Sequence, residues 1–148
     1  MRNKTGRIWR LWLLVLIVAL SAVGGNAFAE TPIKVVYDLS EGLEQASRAM
    51  SNIHNELLAE PSTKIVAVAH GDGIKFLLEG ATDSRGRPFE AMVAALAAQG
   101  VEFQICNNTL SAFNIPVTKV LPQAKIVPSG VVEVVRLQAR EGYAYLHP

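Results

Sequence analysis

From residue 33 onward the spacing of apolar positions changes several times along the chain. Ile33 to Leu39 is an apolar run broken by few polar residues, whereas from Glu41 to Glu60 the residues Leu43, Ala46, Met50, Ile53 and Leu57 recur three or four apart. The first pattern predicts a strand and the second an amphipathic helix with one buried stripe. Pro61-Ser62 breaks that helix, and Lys64 to His70 (KIVAVAH) is a β-branched run of the kind found in strands covered on both faces. His70-Gly71-Asp72-Gly73 then reads as a turn, with a short helical stretch from Ile74 to Leu78 and a polar loop from Thr82 to Arg87.

Pro88 is placed to open another helix, and Gly100 to stop it. In the third strand Val101, Phe103 and Ile105 alternate with Glu102 and Gln104, which predicts one face less well buried than in the second; the strand ends at Cys106. Asn107-Asn108-Thr109 supplies capping residues for a short helix over Leu110 to Phe113, and a further short helix follows Pro116. Ala124 to Val127 reads as a fourth strand, Val131 to Arg140 as a last helix capped by Ser129 and ended by Gly142, and Tyr143 to Leu146 as a fifth strand. Strands alternating with helices predict a single Rossmann-like α/β domain: a parallel sheet of about five strands with helices on both faces. Such sheets bind ligands beyond the carboxyl ends of their strands, where His70-Gly71-Asp72-Gly73 and Cys106-Asn107-Asn108-Thr109 both fall.

The first 29 residues follow another logic. Arg2, Lys4, Arg7 and Arg10 precede the apolar run Leu11 to Val23, which leads to Ala27-Phe28-Ala29. A basic stretch, an apolar run shorter than the roughly 20 residues of a membrane helix, and a small-residue triplet together predict a secretory signal cut before Glu30. The domain organisation is then a signal peptide over 1–29 and one α/β domain over 30–148. A periplasmic location follows, with no membrane attachment after cleavage; the alternative is an uncleaved anchor that leaves the domain tethered. Four of the 14 Lys and Arg lie in that segment and none of the 13 Asp and Glu, so the remainder carries a net charge of −3. Without a cluster of cations there is no basis for binding a phosphate backbone, and nucleic acid is set aside.

The chain holds one cysteine, Cys106, so it forms no internal disulfide. A thiol at a strand end facing the start of a helix meets unpaired backbone N–H groups that favour the nucleophilic thiolate. A free cysteine is equally a small apolar residue that fills core space, and position alone leaves both readings open. His70 is a candidate to orient or deprotonate a substrate, with Asp72 as a holder for its ring, although a turn also needs polar residues. Gly71, Asn107 and Asn108 are candidates for binding an anionic sulfur ligand, with turn formation and capping as the plainer account. Neither a P-loop nor a full dinucleotide fingerprint is present, so no cofactor is implied, and His54 and His147 form no ligand-spaced pair for a metal.

Gly100 with the strand VEFQICNNTL (Val101 to Leu110), His70-Gly71 after the second strand, and the closing Val127-Pro128-Ser129-Gly130-Val131, Leu137-Gln138 and Gly142-Tyr143-Ala144-Tyr145 together resemble the DsrE/DsrF-like family across nearly all of the chain after the signal. The resemblance implies a Rossmann-like sheet, association as a homo-oligomer (trimer or hexamer), and for some members sulfur transfer as a cysteine persulfide, here on Cys106. It also implies a sulfur donor or acceptor protein as partner, and a possible sulfurtransferase or sulfur-carrier activity. The better-studied relatives are cytoplasmic, so a signal peptide departs from them. The leading expectation is a periplasmic sulfur-handling protein that accepts sulfane sulfur on Cys106, with His70 and Asn107 assisting in the pocket. The alternatives are a noncatalytic oligomeric binding module with an anion-sized pocket near Cys106, and a redox sensor using the lone thiol.

Overall fold

The computed structural model describes residues 31–148; the expected signal segment lies outside the described residues. The order is β1 (Lys34–Leu39), α1 (Leu43–Ala59), β2 (Lys64–Ala69), a 3-10 segment (Gly71–Leu77), α2 (Phe89–Ala97), β3 (Glu102–Cys106), α3 (Asn107–Ala112), a second 3-10 turn (Val117–Lys119), β4 (Ala124–Val127), α4 (Gly130–Glu141) and β5 (Ala144–Leu146). All strand pairings are parallel, in the order β4-β3-β2-β1-β5. The fold class is therefore the single five-stranded α/β domain that the alternating pattern predicts. Among the described residues, no helix is long and apolar enough to cross a membrane.

Successive residues of a strand point to opposite faces, and here the two faces differ in covering. Leu39, Ile65, Ala67, Phe103 and Ile105 face α1, α2 and the first 3-10 segment, in one continuous apolar core. Phe76 sits at its centre, with its ring edge-on to Phe89 (centroids 5.8 Å apart) and to Phe103 (6.2 Å). Among the described residues the opposite face is spanned by α4 alone, because the chain must return from β4 at one edge to β5 at the other. Val36, Val66 and Val68 pack there against Val134 and Leu137 in a much smaller cluster.

Several local expectations are revised. The alternation in β3 predicts one less well buried face, and Glu102 on it is exposed, yet Gln104 is only 3 % exposed, because α4 crosses over it. The helix after β3 begins at Asn107, with Cys106 itself in the N-cap position and no side-chain cap, so Asn107 and Asn108 lie in its first turn instead of capping it. Ser129 does cap α4, its Oγ accepting from Val132 N–H, and Gly100 closes α2, its N–H donating to the Ala97 carbonyl.

Candidate functional site

The carboxyl ends of β1, β2 and β3 lie side by side on the face that α4 covers. Leu39 pairs with Ala69 and Ala69 with Ile105, so His70 and Cys106, each one residue further on, lie level with each other on adjacent strands. The first residue of α4 lies against both. A methyl group placed on Gly130 would come 2.9 Å from His70 Cβ and 3.3 Å from Cys106 Cβ, so only glycine lets this helix start so close to the strand ends.

Cys106 is 4 % exposed. Burial alone pushes its thiol up, but the Thr109 hydroxyl and the backbone N–H groups of Gly130, Thr109 and Asn108 are hydrogen-bond donors around the sulfur, and together they outweigh burial and lower it below the ordinary thiol value. Donors come from the first turns of both α3 and α4, whose N–H groups have no partner within their own helices. Thr109 also joins the thiol to the turn after β2, because its Oγ1 accepts from Gly71 N–H at 3.1 Å.

The His70-Gly71-Asp72-Gly73 turn owes its glycines to packing. A methyl on Gly73 would lie 2.0 Å from the Leu39 carbonyl oxygen and 2.8 Å from Ser40 N, so the turn is pressed against the end of β1. Asp72 does not hold the His70 ring; it is exposed and pairs with Lys75 at 2.8 Å. The carboxylate that does so is Asp38, in β1, whose Oδ1 accepts from His70 Nε2 at 2.8 Å. Its Oδ2 accepts from the Tyr145 hydroxyl at 2.9 Å, and His147 Nδ1 stands 4.0 Å away. Buried Gln45 in α1 steadies this end of the sheet, its Oε1 accepting from Ser40 and Glu41 N–H at 2.8 and 2.9 Å.

Of the residues singled out in the sequence, Cys106, His70 and Gly71 therefore come together. Asn108 contributes its backbone N–H to the thiol environment, while the side chains of Asn107 and Asn108 are exposed. His54 lies far from this edge, beside Arg87 and Met92 in a cavity of about 320 Å³ between α1 and α2. Among the described residues, no group of three or more His, Cys, Asp or Glu is arranged to hold a metal ion. Asp38 and Tyr145 were missed by sequence reasoning. The signal for Asp38 was its position as the one acidic residue in a strand that is otherwise apolar after Lys34, close to the strand's end.

Fold and site together define a parallel α/β protein with a buried, donor-rich thiol at the carboxyl edge of its sheet. The DsrE/DsrF-like family matches residues 34–148, and the chain belongs to that family, which is associated with sulfur relay. It is similar to MTH1491 from Methanobacterium thermoautotrophicum, a protein of unknown function, with 31% identity, a TM-score of 0.68, and coverage of 78% of this chain and 99% of that one. The ychN protein of E. coli shares the fold at 15% identity and a TM-score of 0.61, over 80% of this chain and 100% of its own. No curated protein matches the chain.

Proposed function

We propose that this protein is a periplasmic sulfur handler that accepts sulfane sulfur on Cys106 and passes it on as a persulfide. The observation that carries the reading is the thiol itself: buried at the end of β3, lowered by four hydrogen-bond donors from Thr109, Gly130 and Asn108, and situated in a family associated with sulfur relay. A thiolate is the attacking form in sulfur exchange. With a donor persulfide R–SSH, the Cys106 sulfur bonds to the outer sulfur, the donor S–S bond breaks, and R–S⁻ leaves with the electron pair and takes up the proton Cys106 gave up. The products are R–SH and Cys106 persulfide, with no net redox change. His70 assists beside the thiol, and the backbone N–H groups of Asn108 and Gly71 help line the site; export rests on the basic, apolar and small-residue stretches of 1–29.

The test is intact mass spectrometry after exposure to polysulfide or thiosulfate. Additions of about 32 Da are expected in the native chain and absent in Cys106→Ser. A reduced native thiol that gains nothing would overturn the reading and favour a noncatalytic binding module.

A homo-oligomer, trimer or hexamer, is part of the proposal. Val131, Val132 and Val135 lie on the outer side of α4, each more than half exposed. An apolar stripe on a surface helix is a usual place for subunits to meet. Light scattering should report several subunits, and a monomer would remove this part of the proposal.

A further inference from the structure

Asp38 has no place in the sulfur chemistry as the sequence describes it, yet its side chain ties His70 to Tyr145 at the site. Each carboxylate oxygen accepts a hydrogen bond, Oδ1 from His70 at 2.8 Å and Oδ2 from Tyr145 at 2.9 Å. The backbone on either side of it is fixed: Asp38 lies within the β1–β2 ladder, and Gln45 anchors Ser40 and Glu41 just beyond. An ionised carboxylate only accepts, so the neutral His70 ring held by it carries its proton on Nε2 and keeps its lone pair on Nδ1. Among the described residues Nδ1 has no hydrogen-bond partner. His70 and Cys106 stand level on neighbouring strands and against the same face of Gly130.

We infer that Asp38 is a positioning residue that sets His70 to carry the proton between Cys106 and the departing sulfur group, which suits the site to alkyl persulfide donors over thiosulfate. The inference rests on the sulfur-handling reading. In the transfer, the Cys106 proton passes to His70 Nδ1, and the positive ring formed in transit pairs with Asp38. Cys106 sulfur then bonds to the outer sulfur of R–SSH while Nδ1 delivers the proton to the inner sulfur as the S–S bond breaks, releasing R–SH. An alkyl thiolate is the conjugate base of a thiol with a pKa of about 8.5, so it is a basic leaving group whose departure is helped by a proton. With thiosulfate, the S–S bond breaks to release sulfite with the electron pair, a stable anion that needs no proton to depart. A proton carrier therefore speeds the first reaction and hardly affects the second.

The experiment compares loading of Cys106 from glutathione persulfide and from thiosulfate, by intact mass against time, in the native protein and in Asp38→Asn. His70 is followed in parallel by long-range proton–nitrogen NMR. The native ring should show the Nε2–H tautomer, and Asp38→Asn should lose that preference because an amide can donate to Nε2. Loading from glutathione persulfide should fall at least tenfold in the variant, and loading from thiosulfate less than twofold. An Nδ1–H ring in the native protein, or equal losses with the two donors, would overturn the inference while leaving the sulfur reading standing. A native protein that loads from neither donor would bring down both. Should Asp38→Asn fail to fold, His70→Gln carries the same donor comparison, with the same unequal loss expected and equal losses overturning the inference.

Discussion

The two faces of the sheet are built from the same five strands and put to different uses. On the side of α1 and α2, the strands present Leu39, Ile65, Phe103 and Ile105 to a continuous apolar core closed by two helices and a 3-10 segment. On the other side they present Asp38, His70, Gln104 and Cys106 beneath one helix, with only a five-residue apolar cluster between them. Burying a polar group is costly unless it is paired, and on the second face Asp38 and His70 are held by hydrogen bonds while Gln104 Oε1 is left without a partner, where the first face is assembled from volume. The difference teaches that stability is concentrated on one face and chemistry on the other.

The comparison is challenged most strongly by Phe103→Ala. Phe103 is buried and edge-on to Phe76, and its loss leaves a cavity that costs about 3–5 kcal/mol in denaturant unfolding. Alkylation of Cys106 in the remaining folded protein should be unchanged; a large change would mean that the faces are coupled.

Next in size is Thr109→Val on the chemical face. It removes one donor to the Cys106 sulfur and strands the Gly71 N–H, at a cost of about 1–2 kcal/mol. Because the folded-state thiol is lowered, it adds stability that is fully present above the ordinary thiol value and is lost as pH falls through the folded value. The variant should narrow that window, seen as an upward shift in the midpoint of iodoacetamide alkylation against pH and as a weaker rise of stability with pH. An unmoved midpoint would show that the backbone N–H groups alone hold the thiol down.

The smallest effect is expected for Gln104→Leu. This side chain is buried, but its Oε1 has no partner, so exchanging it for an apolar group of similar size should leave stability within about 1 kcal/mol of the native value in urea unfolding. A loss as large as that of Phe103→Ala would show that the polar face also bears the fold.

Much of this architecture is legible in the sequence. The periods of Leu43 to Leu57 and of Lys64 to Ala69, together with Ser129 and Gly142 as cap and stop, locate their elements to within a few residues, because such signals act within one or two helical turns. The placing of Cys106 at a strand end next to a helix start was legible for the same reason. What the alternation in β3 could not reveal was that α4 would lie over Gln104, since which helix covers which face depends on the order of strands in the sheet. Asp72 is the acid nearest His70 in the sequence, two residues away, whereas Asp38 is 32 residues distant and comes close only when β1 and β2 pair in register.

The sequence by itself determined that strands and helices alternate, that the sheet is parallel, and that one thiol sits at its carboxyl edge. These follow from local periodicity and from the geometry any crossover must obey. The tertiary structure alone decided that Gly130 lies against both His70 and Cys106, that Thr109 links the thiol to the turn after β2, and that Asp38 grips the imidazole. Each of these is a contact between segments far apart in the chain, made only once strand order and register are set, and no local pattern of residues encodes it.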